Sequence, residues 1–209
     1  TTTNLNATSS IIVQSVSVSG TLNVVSGFFE ATSSATIILQ GTVTSTSGIM
    51  RFNTVTSTGN IGTGTGTIYA SSTIQNNGTF NVGGGSVTST GSFTNASTTR
   101  SGSGNLTFQA DFTNTGTFTA AGGLVRVMGA IDQSIGGVLY NRFFSSKTGG
   151  TATFAASTTI LTTLTADGVG GTLSGGSTGL TVVSTSTILS GASVSSTSGA
   201  LVFTGDVTS

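Results

Sequence analysis

The chain has 209 residues, of which 44 are Thr, 33 are Ser and 32 are Gly. Only 5% of the residues are charged, against about a quarter in an ordinary globular domain, and five basic residues balance five acidic ones. The sequence contains no His, Cys or Trp. This composition argues against a nucleic-acid-binding protein, which needs several Lys or Arg on one face, and it removes most catalytic side chains.

The abundance of β-branched residues and glycine predicts an all-β fold. Thr, Ser, Gly and Val rank poorly as helix formers, whereas Glu and Lys, which rank well, occur once each. Hydrophobic residues still make up 35% of the chain, which is enough for a core and argues against disorder. No apolar run approaches the roughly 20 residues of a membrane-spanning helix, and the first residues lack the features of a signal peptide. We expect one continuous unit over residues 1–209, either complete or a segment of a longer protein.

A short cassette recurs along the chain and consists of Gly, a small polar residue, an apolar residue and a polar residue. It begins, in chain order, at Gly20, Gly41, Gly66, Gly78, Gly91, Gly104, Gly116, Gly150, Gly171 and Gly199. The steps from Gly66 to Gly116 are nearly equal, and the longer step from Gly20 to Gly41 recurs from Gly150 to Gly171. Regular spacing of this kind indicates internal repeats.

Apolar and polar side chains alternate within each cassette, as they do in a half-buried β-strand. Leu22 and Val24 would point to one side of their strand, and Phe80 and Val82 to one side of theirs. The pattern predicts a parallel β-solenoid (β-helix) with rungs of about 20 residues, and about ten rungs would form a rod on the order of 50 Å long. Glycine is expected to supply positive φ angles at the corners. A β-sandwich is the alternative fold.

The segment Thr113–Thr119 has Thr at every second position. Read as a single strand, it places four Thr on one face, an arrangement that is also typical of ice-binding solenoids. That use requires the same rank of Thr on every rung, whereas the cassettes vary between Thr, Asn, Tyr and Val. Ice binding is therefore a minor alternative.

Three segments between Gly104 and Gly150 form a characteristic unit: FTNTGTFTAAGG at Phe112–Gly123, VRVMG at Val125–Gly129, and QSIGGVLYN at Gln133–Asn141. The unit resembles extracellular β-strand-repeat proteins of bacteria, which are akin to adhesins of the filamentous-haemagglutinin type. Met128 and Arg142 depart from the pattern, because an aromatic residue and Leu are usual there. The resemblance implies a solenoid fold and an extracellular or cell-surface location, and it implies no particular ligand.

The sequence predicts a structural protein rather than an enzyme, namely a component of a bacterial cell-surface or extracellular fibre such as a stalk, matrix filament or adhesin shaft. Both end segments, Ile11–Gly20 and Gly199–Ser209, are strand-like and almost uncharged. We expect them to pair with identical subunits or with further repeats of the same chain. Glycans or a host or cell surface are additional expected partners, and nucleic acid is not. No catalytic, cofactor-binding or metal-binding residue is predicted.

The main alternative is a carbohydrate- or surface-binding adhesin module, in which exposed rings of Tyr69, Tyr140 or Phe residues stack on sugars. The pairs Phe28–Phe29 and Phe143–Phe144 would each place one ring on either face of a strand, or be buried together at a bend. The basic residues between Arg126 and Lys147 would form a small patch for a neighbouring subunit or an anionic polymer. Scattered solubilising charges are the simpler interpretation of that patch.

A polysaccharide-cleaving β-helix is the least favoured alternative, because it needs at least two acids in a groove. The acidic residues are Glu30, Asp111, Asp132, Asp167 and Asp206. Asp111 and Asp132 are about one rung apart in the sequence, and would hold a cation together with Gln109 or Gln133 if they stacked on one face. The simpler interpretation is that both are solvated turn residues.

Overall fold

The computed structural model describes residues 4–32 and 36–209, and these residues form a parallel β-solenoid of about ten rungs, as predicted. Residues 1–3 and 33–35 of the predicted unit lie outside the described residues. The described part of the chain contains no helix, and hence none that is long and apolar enough to cross a membrane. With strands ~4.8 Å apart, the rod is about 50 Å long.

Within these residues the chain forms thirty short strands. In chain order they are β1 (Asn4–Ala7), β2 (Ser10–Val13), β3 (Ser17–Val18), β4 (Thr21–Val24), β5 (Phe28–Ala31), β6 (Thr36–Leu39), β7 (Thr42–Ser45), β8 (Ile49–Phe52), β9 (Thr54–Ser57), β10 (Asn60–Thr63), β11 (Thr67–Ala70), β12 (Ile74–Asn76), β13 (Thr79–Val82), β14 (Ser86–Ser89), β15 (Phe93–Asn95), β16 (Thr98–Ser101), β17 (Asn105–Phe108), β18 (Phe112–Asn114), β19 (Thr117–Ala120), β20 (Leu124–Gly129), β21 (Gln133–Ile135), β22 (Leu139–Lys147), β23 (Thr151–Phe154), β24 (Thr158–Asp167), β25 (Thr172–Ser174), β26 (Leu180–Val182), β27 (Thr185–Ile188), β28 (Ser193–Ser195), β29 (Leu201–Phe203) and β30 (Val207–Thr208).

The strands form three parallel sheets, one on each side of the rung. Sheet 1 contains β1, β4, β7, β10, β13, β16 and β19. Sheet 3 contains β3, β6, β9, β12, β15, β18, β21, β23, β25 and β28. The remaining strands form sheet 2. Up to β19, the chain passes through sheets 1, 2 and 3 in turn before it starts the next rung.

This three-sided rung explains the nearly equal steps between the cassettes from Gly66 to Gly116. Gly66 precedes a strand of sheet 2, Gly78 precedes a strand of sheet 1 in the next rung, and Gly91 precedes a strand of sheet 3. Each step therefore crosses two of the three sides. The rung here is 19 residues long, as the stacking of Thr67 on Ser86 shows, and each step covers about two thirds of it. The structural repeat is the rung, and the cassette marks its individual sides.

The core is a set of ladders in which inward side chains stack on their counterparts in the next rung. In sheet 2 one such ladder contains Phe29, Met50, Ile68, Val87 and Leu106, all buried. Each fully buried side chain of this size contributes about 1.5–3 kcal/mol. Thr and Ser occupy most outward positions, where their branched or small side chains fit the strand and face water.

A continuous chain of aromatic contacts runs through the middle of this core. Its members are Phe80, Phe93, Phe108, Phe112, Phe118, Tyr140, Phe143 and Phe154, with ring centroids 4.6–6.0 Å apart. The contact between Phe118 and Tyr140 spans 5.5 Å at the point where sheet 1 ends at β19. Aromatic packing therefore joins the two parts of the rod where strand pairing on this side stops.

Three asparagines, of which Asn76 and Asn95 are buried and Asn114 is half-buried, form a hydrogen-bonded ladder between sheets 3 and 1. Asn76 Nδ2 donates to Asn95 Oδ1 at 2.8 Å, and Asn95 Nδ2 donates to Asn114 Oδ1 at 2.6 Å. The same amide groups also donate to the main-chain carbonyls of Thr98 and Thr117. The ladder satisfies polar groups that would otherwise be costly to bury, and it ties three successive rungs together.

The corner glycines of the first half provide space rather than positive φ. A Cβ on Gly85 would lie 1.9 Å from the carbonyl oxygen of Gly66, and one on Gly104 would lie 1.9 Å from that of Gly85. Among the described residues, positive φ occurs only at glycines from Gly129 onward. The predicted role of glycine was therefore wrong for the N-terminal rungs, where the rungs approach too closely for any side chain.

The step from Leu124 to Arg142 is no longer than that from Ile49 to Thr67, but later C-terminal rungs are longer, and two strands there each join two sides of the rung. β22 and β24 have 9 and 10 residues, and their pairing shifts register between Tyr140 and Arg142. The first part of β24 pairs with β26, and its second part pairs with β27. The pairing of Thr163 with Thr185 shows the greater rung length, since the step between them exceeds that from Thr67 to Ser86.

The segment Thr113–Thr119 is not a single strand. β18 ends at Asn114, the chain bends at Thr115 and Gly116, and β19 begins at Thr117. The Thr side chains are exposed, but they lie on two different sides of the rung. The prediction of four Thr on one strand face was wrong because the glycine that marks a corner was read as part of the strand.

Candidate functional site

The outer face of sheet 2 carries most of the side chains that suit ligand binding. Two outward columns run along it, one through Phe28, Leu124 and Arg142 and the other through Glu30, Arg51, Tyr69, Arg126 and Phe144. We call Phe28, Arg51, Tyr69, Arg126, Arg142 and Phe144 the arginine–aromatic face. Three of the five basic residues lie on it.

The N-terminal cluster of this face consists of Phe28, Glu30, Arg51 and Tyr69. Glu30, Arg51 and Tyr69 occupy successive rungs of one column. The guanidinium carbon of Arg51 lies 5.2 Å from the centre of the Phe28 ring, which is the geometry of a cation–π contact. A depression of about 250 Å³ lies beside Glu30, Arg51 and Tyr69. The cluster combines a flat ring, a cation and a carboxylate around a shallow hollow.

The C-terminal cluster consists of Leu124, Arg126, Arg142 and Phe144. The guanidinium carbon of Arg126 lies 4.8 Å from the centre of the Phe144 ring, and its Nη2 donates to Ser146 Oγ at 3.0 Å. A small hollow of about 100 Å³ lies between Leu124, Arg142 and Phe144. The two clusters therefore share the same combination of ring and guanidinium.

Polar side chains separate the two clusters. Thr67, Ser86, Thr88, Asn105 and Thr107 occupy the outward positions of the intervening rungs. Thr67 Oγ1 and Ser86 Oγ are 3.1 Å apart, within hydrogen-bonding distance. The result is a row of hydroxyl and amide groups that leads from one cluster to the other.

The aromatic residues named from the sequence divide between this face and the core. Tyr69 lies half-buried on the arginine–aromatic face, but Tyr140 is fully buried and donates to the Gly136 carbonyl at 2.6 Å. Burial raises the pKa of the Tyr140 phenol well above its ordinary value of 10.0. Tyr140 therefore cannot stack on an external sugar.

The two Phe pairs follow the predicted alternation. Phe29 and Phe143 are buried, while Phe28 and Phe144 are half-buried on the outer face. The prediction that each pair places one ring on either side of its strand is confirmed.

Asp111 and Asp132 lie together on the side of sheet 3, along an open groove of about 630 Å³. Asp111 Oδ1 accepts the Ser134 backbone N–H, and Asp132 Oδ1 accepts the Thr151 backbone N–H, both at 2.8 Å. Each carboxylate thus fastens the start of the next strand of sheet 3. No group of three or more His, Cys, Asp or Glu side chains forms a candidate metal site within residues 4–32 and 36–209.

Gln109 and Gln133, which would complete a cation site with Asp111 and Asp132, have other partners. The Gln133 amide is buried, donates to the Ala110 carbonyl at 2.9 Å and accepts from Lys147 Nζ at 2.8 Å. Gln109 Nε2 lies 3.9 Å from Met128 Sδ. The arrangement favours the interpretation of the two aspartates as turn residues.

Lys147 is buried and does not belong to a surface patch. Besides Gln133, its Nζ donates to the Ile131 carbonyl. Burial lowers the pKa of Lys147 from its ordinary value of 10.5, and the charge of Asp132 partly opposes this shift. The predicted basic patch therefore reduces to Arg126 and Arg142.

Sequence reasoning missed the N-terminal cluster, because Phe28 and Arg51 are more than one rung apart in the sequence and their contact depends on the rung register. That register varies, since the step from Ile49 to its partner Thr67 is shorter than the step from Phe28 to its partner Ile49. A residue can be placed in an outward column only once each rung length is known. The available signal was the spacing of Glu30, Arg51 and Tyr69, each about one rung from the next.

The fold and the arginine–aromatic face place the protein among parallel β-solenoids, with arginine and aromatic side chains concentrated on one outer side. No family model, curated protein or solved structure matches this chain. The resemblance to bacterial β-strand-repeat adhesins stays a prediction.

Proposed function

We propose that this chain is a structural component of a bacterial cell-surface or extracellular fibre, in which it serves as a stiff segment of a stalk, matrix filament or adhesin shaft. The observation that carries the proposal is the unbroken parallel pairing on sheet 2 from β2 to β30. Such pairing, with stacked inward ladders, connects each described rung to the next by backbone hydrogen bonds and favours a stiff rod.

The terminal rungs support assembly through strand edges. Among the described residues, β1, β2 and β3 pair only with the rung above, and β28, β29 and β30 pair only with the rung below. Val202 and Val207 are exposed in the last rung, and the formal net charge of the chain is zero. Unpaired, uncharged strand edges are templates for further strands, supplied by identical subunits or by additional repeats.

Negative-stain electron microscopy with fibre diffraction tests this proposal. We expect filaments of constant width with a repeat of ~4.8 Å along the long axis. Val202→Lys should shorten or abolish them because charge blocks an edge strand, whereas Ile49→Lys, on an inner rung, should not. A stable monomer in sedimentation at high concentration would contradict head-to-tail assembly.

A second candidate function is a glycan- or surface-binding module, and the arginine–aromatic face favours it. Half-buried rings beside polar groups are typical of surfaces that stack on sugars. Binding of any polysaccharide to the purified chain, lost on Tyr69→Ala, would support this function.

We also propose that the chain is not an enzyme. The aspartates that share a groove, Asp111 and Asp132, each accept a backbone N–H bond that fastens a strand. Turnover of neutral or uronate glycans by the purified chain would contradict this proposal.

A further inference from the structure

The charges of this neutral chain are unevenly distributed around the rod. Arg51, Arg126 and Arg142 all lie on the outer face of sheet 2, against two acids on that sheet, Glu30 and Asp167. The side of sheet 3 carries Asp111 and Asp132 instead. Zero net charge therefore hides an excess of positive charge on the side where the half-buried rings of Phe28, Tyr69 and Phe144 lie.

The guanidinium groups of this face are oriented for ligands. Stacking on Phe28 holds the Arg51 side chain against the sheet, and Arg51 makes no hydrogen bond to the described residues. Arg126 is fixed in the same way by Phe144 and by one hydrogen bond to Ser146. A guanidinium group held by its face keeps its outer donors available for a carboxylate. In Arg126 these are the Nη donors, because its Nε is buried without a hydrogen-bond partner.

The distance between the clusters sets the length of the ligand. Arg51 and Arg126 lie in one column and are four rungs apart, because Tyr69, Thr88 and Thr107 lie between them. Four rungs correspond to about 19 Å along the axis. A single sugar cannot reach both guanidinium groups, whereas a polymer laid along the polar row can.

We propose that the arginine–aromatic face binds carboxylate-bearing polysaccharides, extended along the rod axis and in contact with both clusters. The proposal rests on the glycan-binding function given above and adds the charge and the length of the ligand. The carboxylates pair with Arg51 and Arg126, sugar rings stack beside Phe28, Tyr69 and Phe144, and the outward Thr, Ser and Asn groups bond to sugar hydroxyls.

Calorimetric titration with two polymers tests the charge requirement. Polygalacturonate supplies one carboxylate per sugar, and dextran is a neutral polysaccharide. Polygalacturonate is expected to bind at least about ten-fold more tightly than dextran, and added salt should weaken its binding because the contacts lie at the surface.

Three single substitutions test whether the polysaccharide binds at the arginine–aromatic face. Arg51→Gln and Arg126→Gln should each weaken polygalacturonate binding roughly five-fold, as expected for the loss of one exposed ion pair. Arg100→Gln is the matched control, because Arg100 is exposed on sheet 1. It should change the affinity by less than about two-fold. Unchanged circular dichroism and unfolding midpoints would show that all three variants remain folded.

Ligand length tests the contact with both clusters. Polygalacturonate should bind at least about ten-fold more tightly, per binding site, than trigalacturonate, which is too short to join the clusters. This advantage should fall to about two-fold in Arg51→Gln, because the five-fold loss affects the polymer while trigalacturonate still binds the intact Arg126 cluster.

The outcomes separate the two proposals. Equal binding of dextran and polygalacturonate would overturn the charge inference and leave glycan binding in place. Binding of neither polymer would overturn both the charge inference and the glycan-binding function. A dimer in sedimentation that Arg126→Gln dissociates would also overturn both, because a second copy would then cover the arginine–aromatic face. A loss in Arg100→Gln equal to that in Arg51→Gln would overturn the assignment to this face.

Discussion

Residues 4–32 with 36–120, and residues 124–208, build the same kind of rung by different local means. In the N-terminal part each rung has three short strands, and its corners contain glycines without positive φ that press against the rung below. In the C-terminal part, β22 and β24 each continue through a corner, and glycines with positive φ make several of the turns, beside others such as Gly171 and Gly199 that only provide space. The comparison teaches that stacking in register defines this fold, whereas the corner is free to vary.

The inward polar groups differ in the same way. The N-terminal part repeats one residue, in the ladder of Asn76, Asn95 and Asn114. Next to it, Gln133 and Lys147 join three rungs through unlike side chains. The asparagine ladder is visible in the sequence because Asn recurs once per rung. The contacts of Gln133 and Lys147 involve unlike residues and leave no repeating pattern in the sequence.

The largest expected effect tests the claim that N-terminal glycines provide space. Gly85→Ala should lower the free energy of unfolding by about 3 kcal/mol or more, because the new Cβ meets the Gly66 carbonyl at 1.9 Å. The adjacent Gly84 is the control, since its nearest neighbour would be 3.6 Å away. Gly84→Ala should be neutral or stabilising by up to ~1 kcal/mol in urea unfolding. Similar losses at both positions would remove the basis for the comparison.

The next effect concerns the asparagine ladder. Asn95→Ala should cost about 2 kcal/mol, because the buried Asn76 loses an acceptor and the half-buried Asn114 loses its donor. Asn81→Ala, at an exposed position of sheet 1, should cost less than about 0.5 kcal/mol. Urea unfolding measures both, and equal costs would show that the ladder contributes nothing beyond a surface asparagine.

A smaller effect tests the C-terminal glycines. Gly170 has a φ of 86° and open space, so Gly170→Ala should cost about 1–2 kcal/mol through backbone strain alone. Gly170→Asn should cost less than Gly170→Ala, because Asn tolerates this conformation better. At Gly85 the order should reverse, since the larger side chain collides more. The same order at both sites would mean that the two parts use glycine for one reason.

The smallest effect is the pH dependence due to Lys147. Its folded pKa lies below the ordinary value of 10.5, so between the two values the unfolded chain binds more protons and stability rises with pH. The rise should be small and should be absent in Lys147→Met. Unfolding is best followed below pH 10.0, because ionisation of Tyr140 in the unfolded state lowers stability above it. An equal slope in both proteins would exclude the buried amine as its source.

The fold was predictable because its signals are local and repeated. Alternation within cassettes such as Gly78–Val82 shows the strands, and the recurrence of glycine shows the rungs. The confirmed split of the Phe28–Phe29 pair follows from the same alternation along a strand. These features need no knowledge of which rung lies on which.

The candidate site was only partly predictable, because it depends on contacts between rungs. Rung length varies along the rod, from the short step between Asn4 and Thr21 to the long step between Phe112 and Ile135. A shift by a single position turns a side chain from the outside to the core. For this reason Tyr69 and Tyr140 looked alike in the sequence, yet one lies on the surface and the other in the core.

The end of sheet 1 at β19 has a mechanical consequence. Elsewhere in the N-terminal part, three rows of backbone hydrogen bonds connect each rung to the next, but only two rows connect the rung of β19 to the rung of β22. On the third side, the contact between Phe118 and Tyr140 replaces the missing row. The joint therefore has one row of backbone hydrogen bonds fewer than its neighbours. Under tension or bending this joint therefore yields first, and the rod behaves as two stiff halves connected by one compliant point.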